Sequence, residues 1–223
     1  MADGMADVDR IAEATARYEQ AVFGGDASML AAAERGLDAV DADVALARGR
    51  LRHARFLAAD GAGVEDPDEL ALFQRAAELY RSLGDVGGEA EATFWIGCLY
   101  QVVRGDDRAA VPELERARDL AAEADEPATR ALALRHLGIA AHRAGRLDQA
   151  RELLTESSEL RRRIGQLPGV AANLVGLAYI AAAEDRPARA GEILAEAHAI
   201  ATEYGAHAIL RQVDEARTFL ANR

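Results

Sequence analysis

The chain of 223 residues contains no lysine: all 26 of its basic residues are arginine. That removes Schiff-base chemistry and a phosphate-loop lysine together. We read it as the coding bias of a high-GC genome and not as a functional signal. A single cysteine, Cys98, excludes an intramolecular disulfide and any cysteine-rich metal site. Only 5% of residues are aromatic, five are proline, and β-branched runs are absent, which argues against a sheet protein. No apolar run approaches the ~18 residues that a membrane span needs, and the acidic start Met1–Asp9 has no apolar leader core. These absences predict a soluble, cytoplasmic protein without a membrane partner. Basic charge is also in deficit: the net charge is −12. A polyanion needs a basic surface, so no nucleic-acid partner is expected.

What the chain has is repetition. Half of its residues are apolar, and alanine supplies much of that half. Leu114, Leu154 and Leu194 lie 40 residues apart, as do Ala110, Ala150 and Ala190, and Leu120, Leu160 and Ile200. Ala117, Ser157 and Ala197 add a small-residue row, and Leu137 and Leu177 repeat at the same spacing. Gly97 stands 41 before Gly138, with Ala178 a further 40 on. Self-similarity at one period is the signature of a helical solenoid.

Each unit reads as two helices. In the clearest one, Ala131, Leu134, Leu137 and Ala141 form the inner stripe of a first helix. Gly145 breaks that helix, and Ala150, Leu153, Leu154, Ser157 and Leu160 line a second. Gly165 ends the second helix and Pro168 opens the next. The pattern divides one domain, 1–223, into a degenerate pair (1–41) and a looser pair (42–85). Three well-registered pairs follow (86–126, 127–166, 167–205), then a lone helix (206–223). In the looser pair, Phe73, Ala76 and Leu79 take the places of Leu114, Ala117 and Leu120. The lone helix carries the stripe Ile209, Val213, Ala216 and Leu220. It reads as the cap without which the last repeat would expose its apolar face. The expected fold is all-α: an α–α superhelix of about five helix–turn–helix pairs closed by a C-terminal capping helix.

The pairs resemble the tetratricopeptide repeat (TPR) family, in a long-period variant of about 40 residues. The resemblance is carried by Ile96-Gly97-x2-Tyr100 with Ala110-x3-Leu114. In the next unit it is Leu134-x2-Leu137-Gly138-x2-Ala141 with Ala150-x3-Leu154, and then Leu174-x2-Leu177-Ala178-x2-Ala181 with Ala190-x3-Leu194. Long periods of this kind are found in kinesin-light-chain-like repeats and in bacterial regulators. The resemblance implies a right-handed superhelix whose concave face, lined by the first (A) helix of each pair, binds proteins or peptides.

It also implies which positions face that groove. Counted from Gly97, Gly138 and Ala178, they are Phe94, Arg135 and Val175, then Cys98, Ile139 and Tyr179, then Gln101, His142 and Ala182. Asn173 is a further candidate, with Arg52 or His53 in the looser pair. The ligand-binding set is Phe94, Gln101, Arg135, His142, Asn173, Tyr179 and Arg52. Arg135 and His142 lie two turns apart on one face. Together they can hold a carboxylate or simply stand in solvent. Arg48, Arg52 and Arg55 also share a face, where pairing with the chain's own acids is the plainer reading. Arg161-Arg162-Arg163 closes a helix whose dipole favours cations.

Trp95, Tyr100 and Cys98 read as core. The histidines do not converge on a metal, and the carboxylates fall mostly on polar faces and in loops, with no pair in an apolar setting. No nucleophile elbow, phosphate loop or His-Glu-x-x-His motif is present. The expectation is therefore a scaffold, with no catalytic residue, metal or cofactor. Its partner is a protein or peptide bearing a carboxylate or other acidic group. The alternatives are a regulatory module sensing a small molecule or peptide, and an accessory or enzymatic protein of a bacterial biosynthetic pathway. The stripe Val8, Ile11, Ala14/Thr15, Tyr18 and Val22 makes a homodimer a further expectation.

Overall fold

A computed structural model of the chain describes residues 3–59 and 63–222, with side chains from Asp9 onward. Part of the acidic start, the side chain of Val8 and residues 60–62 of the first long loop lie outside the described residues. The described residues are helical, without strands. The helices are α1 Asp3–Gly24, α2 Leu30–Ala58, α3 Glu69–Leu83, α4 Val86–Cys98, α5 Asp107–Glu123, α6 Pro127–Arg143, α7 Leu147–Arg163, α8 Leu167–Ala183, α9 Pro187–Glu203 and α10 His207–Ala221. Helix α4 continues directly into a π-helical turn, Leu99–Val103.

The turns show why these helices stop where they do. From α3 onward one residue in each takes the left-handed conformation, with φ between 54° and 74°: Gly84, Gly105, Asp125, Gly145, Gly165, Asp185 and Gly205. Glycine adopts it without steric cost, and aspartate is one of the few other residues that tolerates it. Restarts are equally local. Asp85 and Asp106 cap α4 and α5 by accepting from the backbone N–H of Gly88 and Ala109. Proline occupies the first turn of α6, α8 and α9, where no N–H is needed.

Consecutive helices pack as pairs: α2 with α3, α4 with α5, α6 with α7, and α8 with α9. Within each pair, a residue of minimal volume on the A helix lets a large residue of the B helix come close. A Cβ added to Gly49 would meet the Phe73 ring at 2.5 Å. One added to Gly97 would meet Leu114 at 2.8 Å, and one added to Gly138 would meet Leu154 at 3.0 Å. Ala178 takes this place against Leu194 in the last pair, both buried in one cluster. The B-helix rows Ala110, Ala150, Ala190 and Ala76, Ala117, Ser157, Ala197 are wholly buried. Val213 and Ala216 of α10 bury themselves on α8 and α9, with Ile209 and Leu220 beside them, so α10 is the expected cap.

The front of the stack differs from the sequence expectation. The boundary expected between the pairs 1–41 and 42–85 falls inside one continuous helix, α2. No glycine or proline stands between Leu37 and Arg48, so nothing interrupts it. Helix α1 packs on α2, and α3 reaches α2 from Asp41 onward, through Arg75 to Asp41 and Tyr80 to Asp43. The α1 stripe does not turn inward: Ile11, Tyr18 and Val22 are each more than half exposed.

Gly97→Val should cost about 1–3 kcal/mol, because its side chain overlaps Leu114. Gly191→Ala, in an exposed stretch of α9 with nothing within 4 Å, should gain about 0.5–1 kcal/mol from helix propensity. Urea unfolding of both variants checks this; a loss of the same size at each would remove close approach as the cause.

Candidate functional site

Two polar networks cross the A-helix layer. In the first, Gln101 reaches from the π turn of α4 to α6. Its Oε1 accepts from His136 Nδ1 at 2.7 Å, and its Nε2 donates to Asp107 Oδ1 at 2.9 Å and to the His136 carbonyl at 3.1 Å. The amide thus holds the imidazole proton on Nδ1. Phe94 packs edge-on against both His136 and Trp95. Burial first, then the charges of Arg135 and its neighbours, push the His136 pKa down to about 3.

The second network joins α6, α7 and α8. Arg135 donates through Nη1 to the Ala172 carbonyl at 2.8 Å and to Asn173 Oδ1 at 3.1 Å. Asn173 Nδ2 donates to Ser157 Oγ and Ser158 Oγ at 2.9 and 3.2 Å, and Ser157 Oγ donates to the Ala131 carbonyl at 2.6 Å. Arg161 lies against Ser157 with its Nε 3.4 Å from Oγ. Its guanidinium passes over Gly169, where a Cβ would collide with Nη1. Arg135 and Arg161 have no carboxylate within ion-pair distance among the described residues. Burial lowers both pKa values, that of Arg135 to about 10 with Arg161 as the second cause.

A third cluster lies where α2, α3 and α4 meet. His53 Nδ1 is 2.9 Å from Glu69 Oε1, and His53 Nε2 is 3.7 Å from Cys98 Sγ. All three residues are buried, Glu69 completely. Burial raises the Glu69 pKa, partly offset by His53. Burial, then the nearby charge of Glu69, raises the thiol to about 12. Trp95 packs on His53, Phe73 and Phe94.

The candidate residues therefore fall into different settings. Phe94, Gln101 and Asn173 are buried and engaged within the chain. Arg135 and Asn173 are brought together. His142 is half-buried on α6, and Tyr179 stands partly exposed with its ring 5.4 Å from that of Phe219 on the cap. Arg52 is held by Asp66 at 3.0 Å and Asp68 at 3.4 Å, the intramolecular pairing that the acid-rich sequence suggests.

The burial of Gln101 has a countable cause. Gly97 to Leu114 spans 17 residues, whereas Gly138 to Leu154 spans 16. The π turn absorbs the extra residue. Counted back from Gly105 and Gly145, Gln101 takes the place of the buried Ala141, not that of His142. His136, Ser158 and Glu69 were not singled out in the sequence. Glu69 had a signal: it stands 41 residues before Ala110, in a row otherwise made of alanine. With Glu89 it is also an exception to carboxylates lying on polar faces. Arg161 is likewise more than a helix-end cation, since its side chain is buried.

Antiparallel helix pairs stacked in register, with small residues at each crossing, define an α–α repeat solenoid. Residues 129–203, covering α6 to α9, match the family model described as Tetratricopeptide repeat. Such repeats generally mediate protein–protein interactions. No curated protein matches the chain. No helix among the described residues is long and apolar enough to cross a membrane.

The sign of the pH response follows from His136. An unfolded histidine takes up its proton near pH 6.5, but the folded one does so only near 3. Its contribution is therefore complete above pH 6.5 and lost as pH falls toward 3, by at most about 1.4 kcal/mol per pH unit. Urea midpoints between pH 7 and 4 should fall less steeply for His136→Gln; an unchanged slope would assign the acid sensitivity elsewhere.

Proposed function

We propose that the chain is a cytoplasmic protein-interaction scaffold that holds an extended segment of a partner protein along its A-helix face. An acidic group of that segment sits at Arg135 and Arg161. One observation carries this reading: two guanidinium groups are drawn into the layer without a carboxylate at ion-pair distance among the described residues. Elsewhere arginines find acids readily, as in Arg104–Glu65, Arg143–Asp107 and Arg162–Glu196. Two uncompensated positive charges in a poorly solvated setting favour an anion. The planar fork of arginine suits a carboxylate in particular. Arg135 uses only Nη1 in its bonds to α8, so Nε and Nη2 remain for a partner. His142 and Tyr179 flank this centre on α6 and α8.

Selection from a peptide library with acidic and amide-capped members, followed by calorimetry on the selected peptide, tests it. Arg135→Ala should weaken binding by about 10- to 100-fold, the worth of a charged hydrogen bond. Arg135→Lys, which keeps the charge but loses the fork, should recover part of that. Unchanged affinity in both variants would sink the site.

A second contact surface is supported by the exposed Ile11, Tyr18, Val22 and Phe23 of α1. Apolar side chains this exposed favour pairing with a second copy. Light scattering across a dilution series should show a dimer that Tyr18→Glu with Val22→Glu dissociates; a monomer at all concentrations removes this surface.

A further inference from the structure

Several departures from the repeat rule meet at the junction of α2, α3 and α4. The B-helix row that is alanine in three pairs is Glu69 in the first, fully buried. The Glu69 side chain meets His53, four residues after Gly49 on the facing A helix. On the other side of the imidazole lies Cys98, next to Gly97 and immediately before the π turn. Glu69 Oε2 is buried without a hydrogen-bond partner. A repeat stack needs none of this, since alanine serves the other three pairs. A buried carboxylate left half-satisfied weakens the fold, and rule-breaking positions of this kind concentrate at functional sites.

The connectivity is specific. The thiol is within reach of Nε2, and Nδ1 is held by a carboxylate. That is the order nucleophile, base, orienting group. Next to it an open groove of about 520 Å³ is lined by Ala47, Arg50, Leu51, Ala54 and Trp95. Its lining is largely apolar, and Leu51 is 64% exposed there. Trp95 belongs to both places: it lines the groove and packs edge-on against His53 at 5.3 Å. Cys98 itself is 4% exposed, so a reactant reaches the sulfur only when the packing around it opens, and Trp95 is the side chain that the groove and the cluster share.

We propose that Cys98 is a covalent acyl-acceptor site, loaded from an activated thioester whose apolar chain lies in the groove beside Trp95. His53 Nε2 takes the thiol proton, and the thiolate attacks the thioester carbonyl carbon. The new C–S bond forms as the bond to the departing sulfur breaks, and His53 returns the proton to that sulfur. One thioester and one thiol give one thioester and one thiol, with no oxidant or reductant. Glu69 is a positioning residue that fixes the imidazole and stabilises its cationic form. The site is separate from the Arg135–Arg161 centre, and its test does not depend on that reading.

The full chain is incubated with the octanoyl thioester of N-acetylcysteamine and followed by intact-mass spectrometry. One octanoyl group per chain is expected, located on Cys98, released by neutral hydroxylamine and absent from Cys98→Ser. His53→Gln should slow loading by about 100-fold or more, the usual worth of a positioned base. Glu69→Gln should slow it less, and Glu69→Asp should recover part of that loss at an unchanged melting curve. Trp95→Ala should load faster at saturating probe while needing more of it. The acetyl thioester should load more slowly than the octanoyl one; equal rates would remove the groove from the proposal. The site is overturned if native wild type and Trp95→Ala both stay unmodified while the urea-unfolded chain is acylated. Loading of folded His53→Gln at the wild-type rate would overturn it equally.

Discussion

The stack depends on how closely two helices can approach at one crossing. Gly49, Gly97, Gly138 and Ala178 each give up side-chain volume so that Phe73, Leu114, Leu154 and Leu194 can fill it. Helix axes brought this close expose little of the facing B-helix row, which is why that row is alanine or serine. Packing of this density transmits every added methylene to its neighbours. It explains the repeat more directly than helix propensity does, because alanine and leucine would form good helices at almost any spacing.

Much of this was legible in the chain. The 40-residue coincidences located the B helices, the glycines located the turns, and the stripe Ile209, Val213, Ala216 and Leu220 located the cap. What escaped was of two kinds. Continuity was one: α2 runs straight through the boundary of the first two pairs because nothing between Leu37 and Arg48 interrupts a helix. Phase was the other. A single extra residue between Gly97 and Leu114 changes which face each following side chain takes, by about 100°. Counting from Gly97 therefore aims Gln101 at the groove, while counting from Gly105 buries it. The 41-residue step recorded the insertion, but only the π turn shows where it is absorbed.

Polar side chains do in this protein what the apolar rows cannot: they join one A helix to the next. Gln101 ties α4 to α6 through His136, and Arg135 ties α6 to α8 through Asn173. Apolar contacts between alanine-rich helices are weakly directional, so they permit sliding. A chain of directed hydrogen bonds fixes the offset between neighbours. The candidate residues that lie buried therefore fix how one A helix sits against the next.

The absence of lysine acquires a thermodynamic meaning once the ion pairs are seen. Arg50–Glu91, Arg143–Asp107 and Arg162–Glu196 bridge different helices, and each has a guanidinium as its cation. A guanidinium keeps its proton throughout the range in which an ammonium would release it. These bridges can be dissolved from the acid side, by protonating the carboxylate, but not from the alkaline side. The electrostatic stitching of the solenoid is one-sided: a rising pH leaves it intact well past the point where a lysine-based surface would begin to come undone.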